Sequence, residues 1–299
     1  MNSTIPIKEG FVPFRGYKTW YRIVGDHEEP GKAPLMCLHG GPGASWDYLE
    51  PLEALSNTGR RVVFYDQLGG GNSDEPHDPS MYTVDLYVEE VDVVRRALGL
   101  DRVHILGQSW GGMLAMEYAL TQPEGLVGLI LADTGASLPQ WAGEAERLLA
   151  DLPPDTQETL RIHHEAGTTD SPEYKAAWRV FSLRHMCRLD PRPACWTRMA
   201  DKPGDEVYST MWGISETHIT GTLKDWDVTG RLGGIRFPTL VLCGRYDEAT
   251  PLLAETIHLG IPGSELVIFE NSAHVPHLEE TESYLQVLDR FLNRVETQS

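Results

Sequence analysis

The sequence predicts an α/β fold: a mostly parallel sheet whose run of strands is interrupted once by a helical cap. Three observations carry this. Short apolar runs near residues 11–24, 35–38, 62–65 and 103–108 alternate with helical stretches such as 82–98, the pattern of strands joined by helical crossovers. The alternation stops between about residues 134 and 230. There strand signals vanish, and helical stretches at 140–151, 173–186 and 206–212 are broken by Pro153, Pro154, Pro191 and Pro193. It resumes after about residue 231, with apolar runs at 238–243 and 265–269. The expected division is a core of residues 1–134 and 231–299 with an all-helical cap over 135–230, folded above the site the sheet carries. A chain of 299 residues, 41% of them apolar, can bury such a core.

Along the chain, the run at 33–38 opens into His39-Gly40-Gly41-Pro42-Gly43. A glycine-rich turn directly after a buried strand bares backbone N–H groups that can face a developing oxyanion, and Gly41 is the expected donor. The run at 103–108 leads into Gly107-Gln108-Ser109-Trp110-Gly111 and then a helix at 113–120. A Gly-x-Ser-x-Gly turn between strand and helix lifts its serine onto a sharp corner, and glycines at 107 and 111 allow the close passage. The helix points its positive end at charge forming there. Ser109 is therefore the expected nucleophile, and the Trp110 N–H the second oxyanion donor.

A lone serine needs a base and an orienting acid. The runs at 238–243 and 265–269 lead into Gly244-Arg245-Tyr246-Asp247-Glu248 and Glu270-Asn271-Ser272-Ala273-His274. Both segments follow strand C-termini, where open parallel sheets gather their chemistry. Asp247 and His274 fit the order Ser, acid, His. Rivals are Asp133, which follows the strand near 126–131, and His277, expected to begin the final helix and face outward. Asp225 and Asp227 read as solvated loop carboxylates.

Together, His39–Gly43, the Asp-Gln-x-Gly-x-Gly-x-Ser stretch around residues 66–73, Gly107–Gly112 and Gly244–Glu248 resemble the proline iminopeptidases, serine peptidases of the α/β-hydrolase fold, over about residues 11–291. The resemblance implies a triad of Ser109, His274 and Asp247, with Gly41 and Trp110 as oxyanion donors. It also implies that Glu216, within the segment 211–227, and Glu248 hold the substrate's free α-amino group. Two carboxylates clamp an ammonium well through charge-assisted hydrogen bonds. Family members often have Pro, Phe and Thr where this chain has Ile214, Thr217 and His218, changes expected to lie around the pocket.

The implied activity is release of an N-terminal proline or small residue from a short peptide, amide or arylamide. The alternatives are an amino-acid amidase or esterase on the same scaffold, or a binding protein that keeps a hydrolase fold. A formal net charge of −19 disfavours nucleic acid and favours a cationic substrate. The first eight residues lack the long apolar core of a signal peptide, and no window suits a membrane span, so a cytoplasmic enzyme is expected. Cys37 and Cys243 read as core thiols in strands, and Cys187 and Cys195 as reduced thiols that can approach one another. No metal or cofactor is expected. Of Trp141, Trp178, Trp196 and Trp212, one or two are expected to wall the pocket. Residues 296–299 read as a frayed end.

Overall fold

The computed structural model describes residues 5–202 and 204–298. Residues 1–4, where no leader is expected, Pro203, and Ser299 of the expected frayed end lie outside the described residues. Eight strands form one sheet: β1 (Ile7–Phe14), β2 (Tyr17–Val24), β3 (Leu35–Leu38), β4 (Val62–Tyr65), β5 (Val103–Gln108), β6 (Leu126–Ala132), β9 (Thr239–Gly244) and β10 (Glu265–Phe269), in the order β1-β2-β4-β3-β5-β6-β9-β10. β1 and β2 pair antiparallel, as do β2 and β4, and every other pair is parallel. The expected mostly parallel sheet is therefore observed, with an antiparallel hairpin at one edge.

β3, β4 and β5 are buried along their whole length. This accounts for their reading as continuous apolar runs, because parallel strands are covered on both faces. Met36 and Leu38 point into the cluster beneath α1 (Val84–Ala97), α2 (Trp110–Leu120) and α8 (Pro251–Gly260), while Leu35 and Cys37 join the opposite cluster with Trp46, Leu49 and Leu288. That second face is covered by a 3₁₀ run at Trp46–Thr58 and by α10 (Thr281–Gln298), which follows the short α9 (Pro276–Glu279). Each fully buried Leu or Met contributes roughly 1.5–3 kcal/mol before chain entropy is counted.

The chain leaves the sheet after β6 and returns at β9. In between lie α3 (Leu138–Ala150), α4 (Pro154–Ala166), α5 (Pro172–His185), α6 (Ala194–Ala200) and α7 (Asp205–Met211). Three features differ from expectation. Pro154 does not break a helix but starts one, and Pro193 caps α6; proline suits the first turn because its missing N–H would have no partner there. The cap is also not all-helical, since β7 (Gly213–Ser215) and β8 (His218–Ile219) form a small antiparallel ribbon. Nor is residue 296 frayed. Glu296, its side chain 4% exposed, bonds Arg60 at 2.6 Å, His104 at 3.2 Å and the Ala33 N–H at 2.9 Å. No helix among the described residues is long and apolar enough to cross a membrane.

Candidate active site

The sheet order reverses between β3 and β5: β3 connects outward to β4, while β5 leads on to β6. The two glycine-bearing loops that follow β3 and β5 therefore lie side by side at the C-terminal edge, where the crossovers diverge and leave a crevice. Ser109 stands at this point with φ +57° and ψ −124°, a strained conformation worth about 1–3 kcal/mol that the surrounding structure must hold. A Cβ on Gly107 would lie 2.1 Å from the Gly111 carbonyl, and one on Gly111 2.2 Å from the Leu38 carbonyl. Only glycine at both positions lets α2 cross so near to β5 and β3.

Polar contacts join the His39–Gly43 loop to this corner. The Gln67 N–H donates to His39 Nε2 at 2.9 Å and its side-chain amide to His39 O at 2.9 Å, while the Trp110 indole donates to Gln67 Oε1 at 2.8 Å. Burial pulls His39 down to about 4, so it stays neutral and accepts. Asp66 accepts from the Trp46 N–H at 2.7 Å and from both nitrogens of Asn72. The Asp-Gln stretch thus acts as scaffold for the loop carrying Gly41. The Gly40 N–H donates to the Tyr48 hydroxyl, which donates in turn to Gln108 Oε1 at 2.6 Å.

A cavity of about 230 Å³ lies above, walled by Gly41, Ser109, His274, Glu216 and Glu248 from the sequence reading. His274 donates from Nδ1 to Asp247 Oδ1 at 2.6 Å, and Asp247 Oδ1 also accepts from the Ala249 N–H at 2.8 Å. This fixes the imidazole with Nε2 toward the cavity, 3.7 Å from Glu248 Oε1. Trp110 is not part of the cavity wall; its side chain turns to Gln67 and Tyr87. Its N–H belongs to the first turn of α2, whose amides have no partner inside the helix.

The carboxylates carry unusual electrostatics. Glu248 is buried and its Oε2 has no hydrogen bond. Burial first, then the charges of Glu216 and Asp247, hold it well above the usual carboxylate range, with His274 opposing. Glu216 is half-buried as a residue, but its carboxyl is enclosed; burial pushes it to about 7 against a hydrogen bond from Tyr208. Burial disfavours the charged form of His274, yet Asp247, Glu248 and Glu216 together hold it up at about 9.

The cap reaches the site directly. The Glu248 N–H donates to His185 O and the His274 N–H to Met186 O, both at 3.1 Å. The end of α5 therefore fixes the two loops that carry His274 and Glu248. Of the four cap tryptophans, Trp196 walls the cavity, while Trp141 stands edge-on to His274 behind it. Tyr208 was not singled out in the sequence, because its partner Glu216 lies across the β7 turn.

Several expectations need correction. His277 does not face outward; it is buried, lowered to about 3 by burial, and donates from Nε2 to Tyr48 O at 3.1 Å. Ile214, Thr217 and His218 do not line the cavity: Ile214 is exposed, and His218 stacks on His164. Asp225 and Asp227 are exposed, as expected. Cys37, Cys187, Cys195 and Cys243 are all free and buried.

Comparison with known proteins agrees with this architecture. Residues 33–281 match the family model described as alpha/beta hydrolase fold. The proline iminopeptidase of Heyndrickxia coagulans is 43% identical over 291 residues, covering 96% of this chain and 99% of that protein. The crystal structure of VinJ superposes with a TM-score of 0.92 at 44% identity, covering 96% of this chain and 99% of that one. The proline iminopeptidase of Mycobacterium smegmatis superposes with a TM-score of 0.89 at 38% identity, covering 97% and 99%. With this fold, this strand-end site and relatives so similar over their whole length, the chain is a serine hydrolase and belongs to the proline iminopeptidase family.

Proposed function

We infer that this chain releases an N-terminal proline or small residue from short peptides, amides or arylamides through an acyl-enzyme on Ser109. His274 takes the Ser109 proton, and Asp247 holds the imidazole in the tautomer that can accept it. The N–H groups of Gly41 and Trp110 receive the oxyanion, and water later releases the acyl group. Glu216 and Glu248 hold the substrate's ammonium or prolinium. Residues 135–230 act as the cap that limits substrate length, and the substrate partner is a small molecule with a free amino terminus. The four free, buried thiols support a cytoplasmic setting.

The observation that carries this reading is the pair of enclosed carboxylates in the same small cavity as Ser109. Two carboxylates facing one imidazole are short of positive charge, and a neutral ester supplies none. An amino-acid amide meets the same groups, so prolinamide is an expected second substrate. The test is kcat/KM over arylamides of proline, alanine, leucine and lysine, with prolinamide and an aryl ester alongside. The expected order places proline and alanine first, with Ser109→Ala abolishing turnover and a serine-directed phosphonate labelling Ser109 alone. Equal rates on all five amides, or full activity in Ser109→Ala, contradict the reading.

A further inference from the structure

Asp133 follows β6 directly, and its N–H donates to Leu242 O of β9 at 2.8 Å. Its backbone has φ +52°, and the side chain is fully buried against the carboxyl of Asp247. Of the four carboxyl oxygens in this pair, Asp247 Oδ1 alone is provided for, by His274 Nδ1 and the Ala249 N–H. Asp247 Oδ2 and both oxygens of Asp133 are buried without a well-formed hydrogen bond, the Gly244 N–H being the one donor that approaches Asp133.

No ion pair joins Asp133 to a cation among the described residues. The titratable groups that act on Asp133 besides Asp247 include Glu279, Cys243, Tyr48 and Tyr284, none of them cationic, while the imidazole of His274 meets the far oxygen, Asp247 Oδ1. Burial first, then the charge and contact of Asp247, hold Asp133 well above the usual carboxylate range, with the Gly244 amide a smaller opposing influence. Two carboxylates in contact in a dry site cannot both be ionised, and three orphaned acceptors imply that one of them brings its own donor. Asp247 is the one that must stay anionic, because it faces the imidazole.

We propose that Asp133 is a positioning residue that carries a proton and donates it to Asp247 Oδ2, fixing the plane in which Asp247 Oδ1 meets His274. Asp133 touches neither substrate nor the reacting atoms and acts through Asp247. A third contact on Asp247 stops the carboxylate from rotating, which would otherwise release Nδ1 and let the imidazole swing. A neutral Asp133 also keeps a second anion from the triad. Asn at this position offers an N–H in nearly the same place, whereas Ala leaves Oδ2 without a donor.

The proposal rests on the orienting role given to Asp247, and its test separates the two. Infrared difference spectra of full-length wild type minus Asp133→Asn at neutral pH should show one protonated carboxylic C=O band, shifted in D₂O. Asp133→Asn should keep kcat within about threefold, while Asp133→Ala should lose about ten- to a hundredfold in kcat with little change in KM. Absence of the band overturns the proposal. So does an Asp133→Asn enzyme as impaired as Asp133→Ala, or an Asp133→Ala enzyme as active as wild type. If instead Asp247→Asn leaves kcat intact while the band is present, the orienting role of Asp247 fails and the shared proton stands.

Discussion

Glu248 Oε1 lies 3.7 Å from His274 Nε2, on the side of the imidazole opposite its 2.6 Å hydrogen bond to Asp247. Glu248 and the His274 imidazole, the proposed amine-binding carboxylate and general base, therefore share one electrostatic environment. Burial and their mutual charges hold Glu216 at about 7 and raise Glu248, while the surrounding carboxylates hold His274 at about 9. On the proposed function, a substrate ammonium bound beside them is expected to lower all three.

The first prediction is proton release on binding. His274, held at about 9, carries its proton at about pH 7.5, and a cation bound beside it expels that proton. Titration of pyrrolidine into the enzyme at about pH 7.5, in buffers of differing ionisation heat, should show net release. The acid limb of kcat should also lie at lower pH than that of kcat/KM, because the complex frees His274 to accept a proton. Proton uptake, or heat independent of buffer, contradicts the coupling.

Asp247→Asn should lower kcat by about 10⁴, since the amide favours the wrong imidazole tautomer. Circular dichroism and the thermal midpoint should stay close to wild type. A loss under about tenfold moves the orienting acid elsewhere.

Gly204 seats the 135–230 insertion on the Gly40–Gly43 loop. Its N–H donates to Gly43 O at 2.9 Å, and a Cβ there would lie 2.5 Å from that same oxygen. Gly204→Ala should therefore reduce kcat/KM at least about tenfold by displacing backbone beside Gly41. Gly143→Ala is the control, because a Cβ there meets nothing. Equal effects of the two changes would remove the role given to this contact.

Glu296 anchors the C-terminal helix. Glu296→Ala leaves the buried Arg60 without its carboxylate and should destabilise the fold by about 3–5 kcal/mol in urea titrations. Burial opposes ionisation of Glu296, but His104, the Ala33 N–H and Arg60 prevail and lower it to about 2. Its stabilisation is then complete above the ordinary carboxylate range and lost as pH falls toward about 2. Glu296→Gln should flatten that acid limb. An unchanged limb contradicts the assignment.

The sheet was legible because β3, β4 and β5 are buried on both faces, which leaves unbroken apolar runs between turn glycines. The loops at Gly41, Ser109 and Asp247 were legible because each follows such a strand, and the loop at His274 because it follows the apolar edge strand β10; each carries a residue type that the chemistry restricts. The rest depended on partners distant in sequence. Pro154 and Pro193 look like breaks until the helix they begin is seen to pack. The ribbon at Gly213–Ile219 is too short to show a strand period. His277 and Glu296 sit near a helix start and the chain end, where exposure is the usual state; Tyr48 O buries one and Arg60 the other. Asp133 read as a rival to Asp247 rather than its neighbour, because β6 and β9 are adjacent only in space.

The amine clamp of Glu216 and Glu248 is tested most directly by kcat/KM for a prolyl arylamide and its N-acetyl derivative, measured side by side. Acetylation removes the cation and sets a neutral group against two enclosed carboxylates. The free-amine substrate should be preferred by at least about a thousandfold, as expected for the loss of charged hydrogen bonds worth several kcal/mol. Glu216→Gln should erase most of that preference while retaining activity on a neutral aryl ester. A wild-type ratio near one contradicts the clamp, and with it the assignment of this cavity to an aminopeptidase.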